Sequence, residues 1–229
     1  MKKKLIIIGG IIAVVLLGAG IYVRYIMDWG NAEDNSVQNE VVEGEKVKTA
    51  AGVEVNEIPK DLNGTFKTEP TDVEAPTSKL MFEITGPQNA TGRFNNFSAE
   101  YVQLNDGNGS ISLTVDVASI YTANSMRDGH LKESDWFNTA EFPSISFESS
   151  QINLGEEGYE AMGKLSFMGK EYDYQFPFQY LGRNTREDGE EFVAFEGKFD
   201  FDRTQFGMVS ADGVGDVAAV EFRVELVKE

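Results

Sequence analysis

The sequence predicts an all-β domain of about eight antiparallel strands, set behind an N-terminal apolar segment. Three observations carry this. Period-two alternation of apolar and polar residues recurs from about Ser78 to the end of the chain. Clusters of Gly, Asn and Asp break the alternation at short intervals. Only one stretch, Ser125 to Phe137, lacks strand alternation and suits a short helix or two, with Ser134 as a plausible N-cap. Alternation puts one face of each strand toward a core and the other toward water.

The apolar segment comes first. Leu5 to Val23 is an uncharged run of nineteen residues, preceded by Lys2, Lys3 and Lys4. At helical rise it spans roughly 28 Å, close to the thickness of a bilayer core. Three lysines before the run, against Arg24 alone after it, keep the N-terminus inside and send the rest outward. Tyr22, Tyr25 and Trp29 suit the far interface. Residues 1–27 are thus expected to be a single-pass anchor in the cell's inner membrane, or a signal segment. Cleavage near Gly18-Ala19-Gly20 would release the domain to the periplasm.

Residues 28–56 are polar and acidic, as in Asn31-Ala32-Glu33-Asp34-Asn35-Ser36 and Glu43-Gly44-Glu45-Lys46. They read as a flexible tether. Val53, Val55 and Ile58 alternate, so a short strand is expected where the folded part, residues 57–229, begins. Next come Leu80, Phe82 and Ile84, then Ile111, Leu113, Val115 and Val117, then Ile145 and Phe147. Tyr159, Ala161, Gly163, Leu165 and Phe167 share a face. Tyr172 through Tyr180 follow on even numbers, then Val193, Phe195, Phe199 and Phe201, and finally Val220 through Leu226. Gly169-Lys170 reads as a hairpin turn. Strands in this number must hide their edges, which a sandwich or a closed barrel would both do. An eight-stranded barrel has a lumen just wide enough for side chains or one slender ligand.

Charge and composition exclude several functions. The chain holds 38 acidic and 20 basic residues, a net charge of −18. Four basic residues and one acidic residue fall in 1–28, leaving 16 and 37 beyond, or −21. Such a surface repels phosphate backbones, so nucleic acid is not a partner. There is no Cys, hence no disulfide or thiolate chemistry. His130 is the only histidine, which excludes a zinc site built on several imidazoles. Asp128, His130 and Ser125 sit in one turn, where a nucleophile triad has no room to converge. Asp128 and His130 are expected to bond the helical connection into the barrel end; the alternative is a role at the cavity mouth. Asp212-Gly213-Val214-Gly215-Asp216 lacks the ligand count of a calcium loop. No enzyme, metal or cofactor is implied, and no signature sets an oligomeric state.

Several segments together resemble the YceI-like family of exported lipid-binding proteins. They are Gly92-Arg93-Phe94-Asn95-Asn96-Phe97, Asp116 to Thr122, Arg127-Asp128-Gly129-His130-Leu131-Lys132 with Asp135-Trp136-Phe137, Phe142 to Phe147, Gly163 to Gly169, and Arg203-Thr204-Gln205-Phe206-Gly207-Met208. Order and spacing agree across about 135 residues. The resemblance implies a lipocalin-like antiparallel barrel that holds polyisoprenoid or similar long-chain lipid in its lumen. Trp136 stands where the family usually has Phe, and Gln205 where it commonly has an acidic residue.

Strand parity selects Phe82, Phe94, Phe147, Leu165, Phe167, Tyr174, Phe176, Phe199 and Phe206 as lumen candidates. The plain alternative is that these rings simply fill the core. Arg93, Arg127 and Arg203 are candidates for a lipid pyrophosphate, since guanidinium matches phosphate bidentately; otherwise they balance the acidic surface. The expected function is a membrane-tethered lipid carrier without catalysis. The alternative is a filled barrel that binds a protein partner.

Overall fold

A computed structural model describes residues 32, 34, 36–69, 76–104 and 109–229. The apolar run 5–23 lies outside them. Among the described residues no helix is long and apolar enough to cross a membrane.

The chain starts with a small hairpin, β1 (Lys46–Lys48) and β2 (Glu54–Asn56). The sheet then runs through β3 (Gly64–Lys67), β4 (Lys79–Ile84), β5 (Ala90–Phe94), β6 (Phe97–Gln103), β7 (Gly109–Asp116) and β8 (Ile120–Tyr121). After the helix α1 (Ser125–Leu131) come β9 (Ser144–Leu154), β10 (Tyr159–Phe167), β11 (Lys170–Thr185), β12 (Glu191–Asp202) and β13 (Val217–Lys228). Three long strands are each interrupted once: β3 with β4, β5 with β6, and β7 with β8. Counted so, there are eight, and each pairs antiparallel with its neighbour in sequence. β13 pairs β12 on one side and both β3 and β4 on the other, which closes the ring. The result is an up-and-down barrel, the closed alternative to a sandwich.

The alternation read from the sequence becomes the inside of this ring. Val220, Phe222, Val224 and Leu226 face inward on β13 while Glu221 pairs with lysines outside. The β10–β11 loop is Met168-Gly169 rather than Gly169-Lys170, because both residues take positive φ, 48° and 72°, and Lys170 already opens β11. That is the primed turn whose twist suits a two-residue hairpin. On β10 the register shifts between Met162 and Gly163. A Cβ at Gly163 would collide with the Glu148 carbonyl, so only Gly lets β9 and β10 approach there.

The two barrel ends differ. At one, residues 57–63 cross the opening and insert Leu62, which is buried beside Phe66. Ile58 N–H donates to Tyr159 Oη (2.9 Å), Gln103 Nε2 donates to the Pro59 carbonyl (2.7 Å), and Tyr101 Oη donates to Gln103 Oε1 (2.6 Å). These bonds tie the crossing segment to the barrel wall. At the other end lie the 85–89 turn, α1, the turns through Phe142 and the 203–216 loop. Helix α1 is capped by Asn124, whose Oδ1 accepts from Met126 and Arg127 N–H. Ser134 caps nothing: residues 132–142 form successive turns, such as Trp136 N–H to the Glu133 carbonyl.

The tether expected through residue 56 is instead docked at its described residues, from Ala32 onward. Asn39 donates through N–H and Nδ2 to the buried Glu225 carboxylate. Val42 bridges Arg183, and Thr49 Oγ1 donates to the Glu156 carbonyl. The sequence misled because this strap uses backbone and polar side chains, and so shows no apolar periodicity. It also carries a charge cluster: Lys79 Nζ lies 2.6 Å from Asp34 and 3.0 Å from Glu221. Burial works to raise the Glu221 and Asp34 carboxyls, but hydrogen bonds, chiefly from Lys79, outweigh it and hold both below their usual values. Burial likewise works to lower the Lys79 ammonium, and the two carboxylates raise it on balance.

Two expectations follow. Gly163→Ala should destabilise the barrel by about 2–3 kcal/mol through overpacking, read from urea denaturation midpoints. Carboxylates with depressed folded values give stability that is complete above their unfolded values and is lost as pH falls through the folded ones. The wild type should therefore lose stability on acidification below about pH 4.5 more steeply than Lys79→Met, measured as urea midpoints at pH 6, 4 and 3.

Candidate functional site

Inside the barrel is a cavity of about 390 Å³. It runs from the helix end to a floor of Tyr101, Phe178 and Phe195, above the Leu62 plug. The exposed Gln88 and His130 border it, so it meets solvent at the helix end.

Eight of the nine lumen candidates line this space: Phe82, Phe94, Phe147, Leu165, Phe167, Tyr174, Phe176 and Phe199. They come from β4, β5, β9, β10, β11 and β12, brought together by ring closure. Phe147 meets Phe176 edge to face at 4.9 Å, and Phe176 stacks on Phe199 at 5.6 Å. Phe206 does not line the cavity. It sits in a 3-10 turn, Arg203–Phe206, outside strand alternation, and stacks on Phe201 at 4.6 Å within the same apolar core. Its part is to brace Phe201 and Tyr174, which do face the cavity. Burial pushes the Tyr174 phenol up to about 12, so the wall is uncharged there.

The arginines divide three ways. Arg93 lies on the outer face, because Phe94 points in; its Nε donates to Asn95 Oδ1 (2.8 Å) and its guanidinium covers Tyr121 at 4.7 Å. It does not border the cavity. Arg127 borders the cavity and donates from Nε and Nη2 to Thr122 Oγ1 and O, both 2.8 Å. Asp128 accepts from Thr122 N–H (2.9 Å) and Oγ1 (2.5 Å), which fastens α1 to the end of β8. Arg203 borders the cavity but is 3% exposed. Its donors go to the Gly215 and Val209 carbonyls and to Asp216, and it stacks over Trp136 at 5.3 Å. Burial lowers its pKa, opposed by Asp216 and Asp202. Both mouth arginines therefore hold loops.

Other lining residues were not singled out. Leu113, Val115, Val220 and Val224 were readable by the same parity. Leu131 ends α1, and Trp136, Phe137 and Met208 come from turns with no strand period, so alternation does not reach them; only the family resemblance points to Trp136 at the mouth. Trp136 Nε1 donates to His130 Nε2 (3.3 Å), which orients the indole there. His130, Glu133 and Asp135 bring ligand atoms within 4.8 Å of one another, the one such group among the described residues. All three are exposed, and His130 Nε2 is engaged by Trp136.

The fold is a closed, all-β antiparallel barrel of eight strands with one helix and an apolar lumen. The chain belongs to the YceI-like family, whose YceI-like domain matches residues 47–226. A UPF0312 protein of Pseudomonas paraeruginosa is 25% identical over 119 residues, 51% of this chain and 62% of that protein. One from Photorhabdus laumondii is 30% identical over 80 residues, 34% of this chain and 42% of that protein. The chain thus spans about half the length of these curated relatives. The crystal structure of BcnA from Burkholderia cenocepacia superposes with a TM-score of 0.58 at 24% identity, covering 69% of this chain and 99% of that one. A polyisoprenoid binding domain from Saccharophagus degradans, implicated in plant cell wall breakdown, superposes with a TM-score of 0.55 at 13% identity, covering 72% and 98%. These structures share the fold.

The differing roles of two arginines are testable. Arg203→Ala strips donors from two carbonyls and Asp216 and should cost about 3 kcal/mol. Arg93→Ala, on the outer face, should stay within about 0.5 kcal/mol. Thermal and urea unfolding would read both.

Proposed function

We propose that the barrel binds a polyisoprenoid or similar long-chain lipid in its lumen, without catalysis. The observation that carries this reading is the cavity, lined through its depth by apolar side chains and bordered by exposed residues at the helix end. A lipid chain gains roughly 0.8 kcal/mol per buried CH₂, so aromatic walls hold it without a charged contact. The Saccharophagus degradans domain, described as polyisoprenoid binding, has the same fold. A barrel filled by its own side chains, the protein-binding alternative, would have no such space.

The protein works outside the inner membrane in this reading, tethered through residues 5–23, or free in the periplasm if that segment is cleaved. A tether keeps the barrel near a bilayer from which cargo is taken. Arg127 and Arg203 stand close enough to the mouth to meet a lipid headgroup, although their mapped hydrogen bonds go to loops. His130 serves as an anchor for Trp136 rather than as an acid or base.

Solvent extraction of protein purified from native membranes, followed by mass spectrometry, should return a long-chain lipid at near-stoichiometric amount. Ala218→Phe puts a ring into the lumen near the open end and should cut recovered lipid at least tenfold, with circular dichroism unchanged. Empty extracts from the wild type, or equal recovery from the variant, would reject the reading.

A further inference from the structure

The docked strap fixes where the N-terminal segment leaves the barrel. Its contacts step from β13 across β4 to β5, moving toward the helix end. Asn39 bonds Glu225. Asp34 pairs with Lys79, which stands opposite Arg223 in the ladder. Ala32 is buried, and its carbonyl accepts from Thr91 Oγ1 (3.5 Å). Thr91 pairs with Glu83, and Glu83 with Ala219. Ala219 is two residues from the start of β13, at the helix end, and Ala90 beside Thr91 lines the cavity. The strap therefore runs from the plugged end to the open end.

Only eight residues, 24–31, separate Ala32 from Val23, the last of the apolar run. Fully extended they reach about 29 Å. The plugged end lies nine strand residues from Ala219, about 30 Å along the wall. A connection of this length leaves slack at the open end and none at the other.

Exposed apolar side chains do not choose between the ends by themselves. Leu104 (58%) and Leu154 (40%) stand at the plugged end. At the open end Met126 is 85% exposed and Val209 63%, with Tyr121 and Val217 also outside. The exit of the strap and the opening of the cavity decide the matter together.

We propose that the helix end of the barrel, rimmed by Tyr121, Met126, Val209 and Val217, is the face that meets the lipid bilayer holding residues 5–23 of the same chain. The inference rests on the tethered lipid-carrier reading and gives it a direction: the cavity mouth faces the membrane. Attraction to anionic lipid plays no part, since the chain is strongly acidic. Tethering supplies the local concentration, and the rim supplies apolar contact.

The absence of native cysteine makes single labels unambiguous. Full-length Met126→Cys, Val209→Cys, Leu104→Cys and Leu154→Cys would each carry an environment-sensitive fluorophore in phosphatidylcholine vesicles containing a nitroxide lipid. Labels at 126 and 209 should be quenched at least threefold more than those at 104 and 154. Equal quenching, stronger quenching at 104 and 154, or a chain that does not sediment with vesicles would overturn the proposal. Cargo is read separately on the same samples by lipid extraction. Empty extracts with the quenching pattern intact would remove the carrier reading and leave the orientation standing.

Discussion

Ring closure through β13 is the constraint on which everything else depends. This strand pairs β12 along its whole length, and its other edge is shared by β3 and β4. Without it the sheet would keep two open edges and its inward rings would face water. With it, seven of the eight strands aim aromatic side chains at one axis. An eight-stranded ring is barely wide enough for its own side chains. The space left here depends on small inward residues, Ala90, Ala99 and Ala218, set among the rings. Phe206 stacks on Phe201 and packs against Tyr174, which steadies these two lining rings.

The two ends use different physics. At the plugged end, hydrogen bonds from Ile58, Gln103 and Tyr101 tie a crossing segment down, so that Leu62 stays buried. Burial and the neighbouring phenols Tyr159 and Tyr180 raise the Tyr101 pKa, and burial pushes the Tyr180 phenol up to about 12, so this end is neutral within. At the open end the loops are held by cations placed inward. Arg203 fastens the 203–216 loop and covers Trp136, while Arg127 and Asp128 clamp Thr122. Those donors serve carbonyls and hydroxyls of the frame, and the lumen itself stays apolar.

Much of this was legible in the sequence, for a physical reason. Strand alternation reports which side chains share a face, and a closed barrel has one inner face, so parity alone found Phe147, Leu165, Phe176 and their neighbours. Alternation says nothing of turns. Strand parity does not extend to Phe206, because it sits in a 3-10 turn, and it joins the core without lining the cavity. Arg93 was assigned by residue type, although its neighbour Phe94 already pointed inward. Trp136 and Met208 reach the mouth from segments with no period. The strap from Ser36 to Asn56 looked like a tether because its anchors are polar and far off in sequence, as with Asn39 and Glu225.

The central claim is that a lipid chain lies along the inside of the ring. Isotope-filtered nuclear Overhauser spectra of the lipid-loaded protein, with Leu and Val methyls labelled, test it most directly. The account predicts contacts from alkyl protons to the methyls of Leu113, Val115, Leu165 and Val224, and none to Leu62 beneath the floor. Contacts confined to surface methyls such as Leu104 and Val209, or none at all, would contradict it.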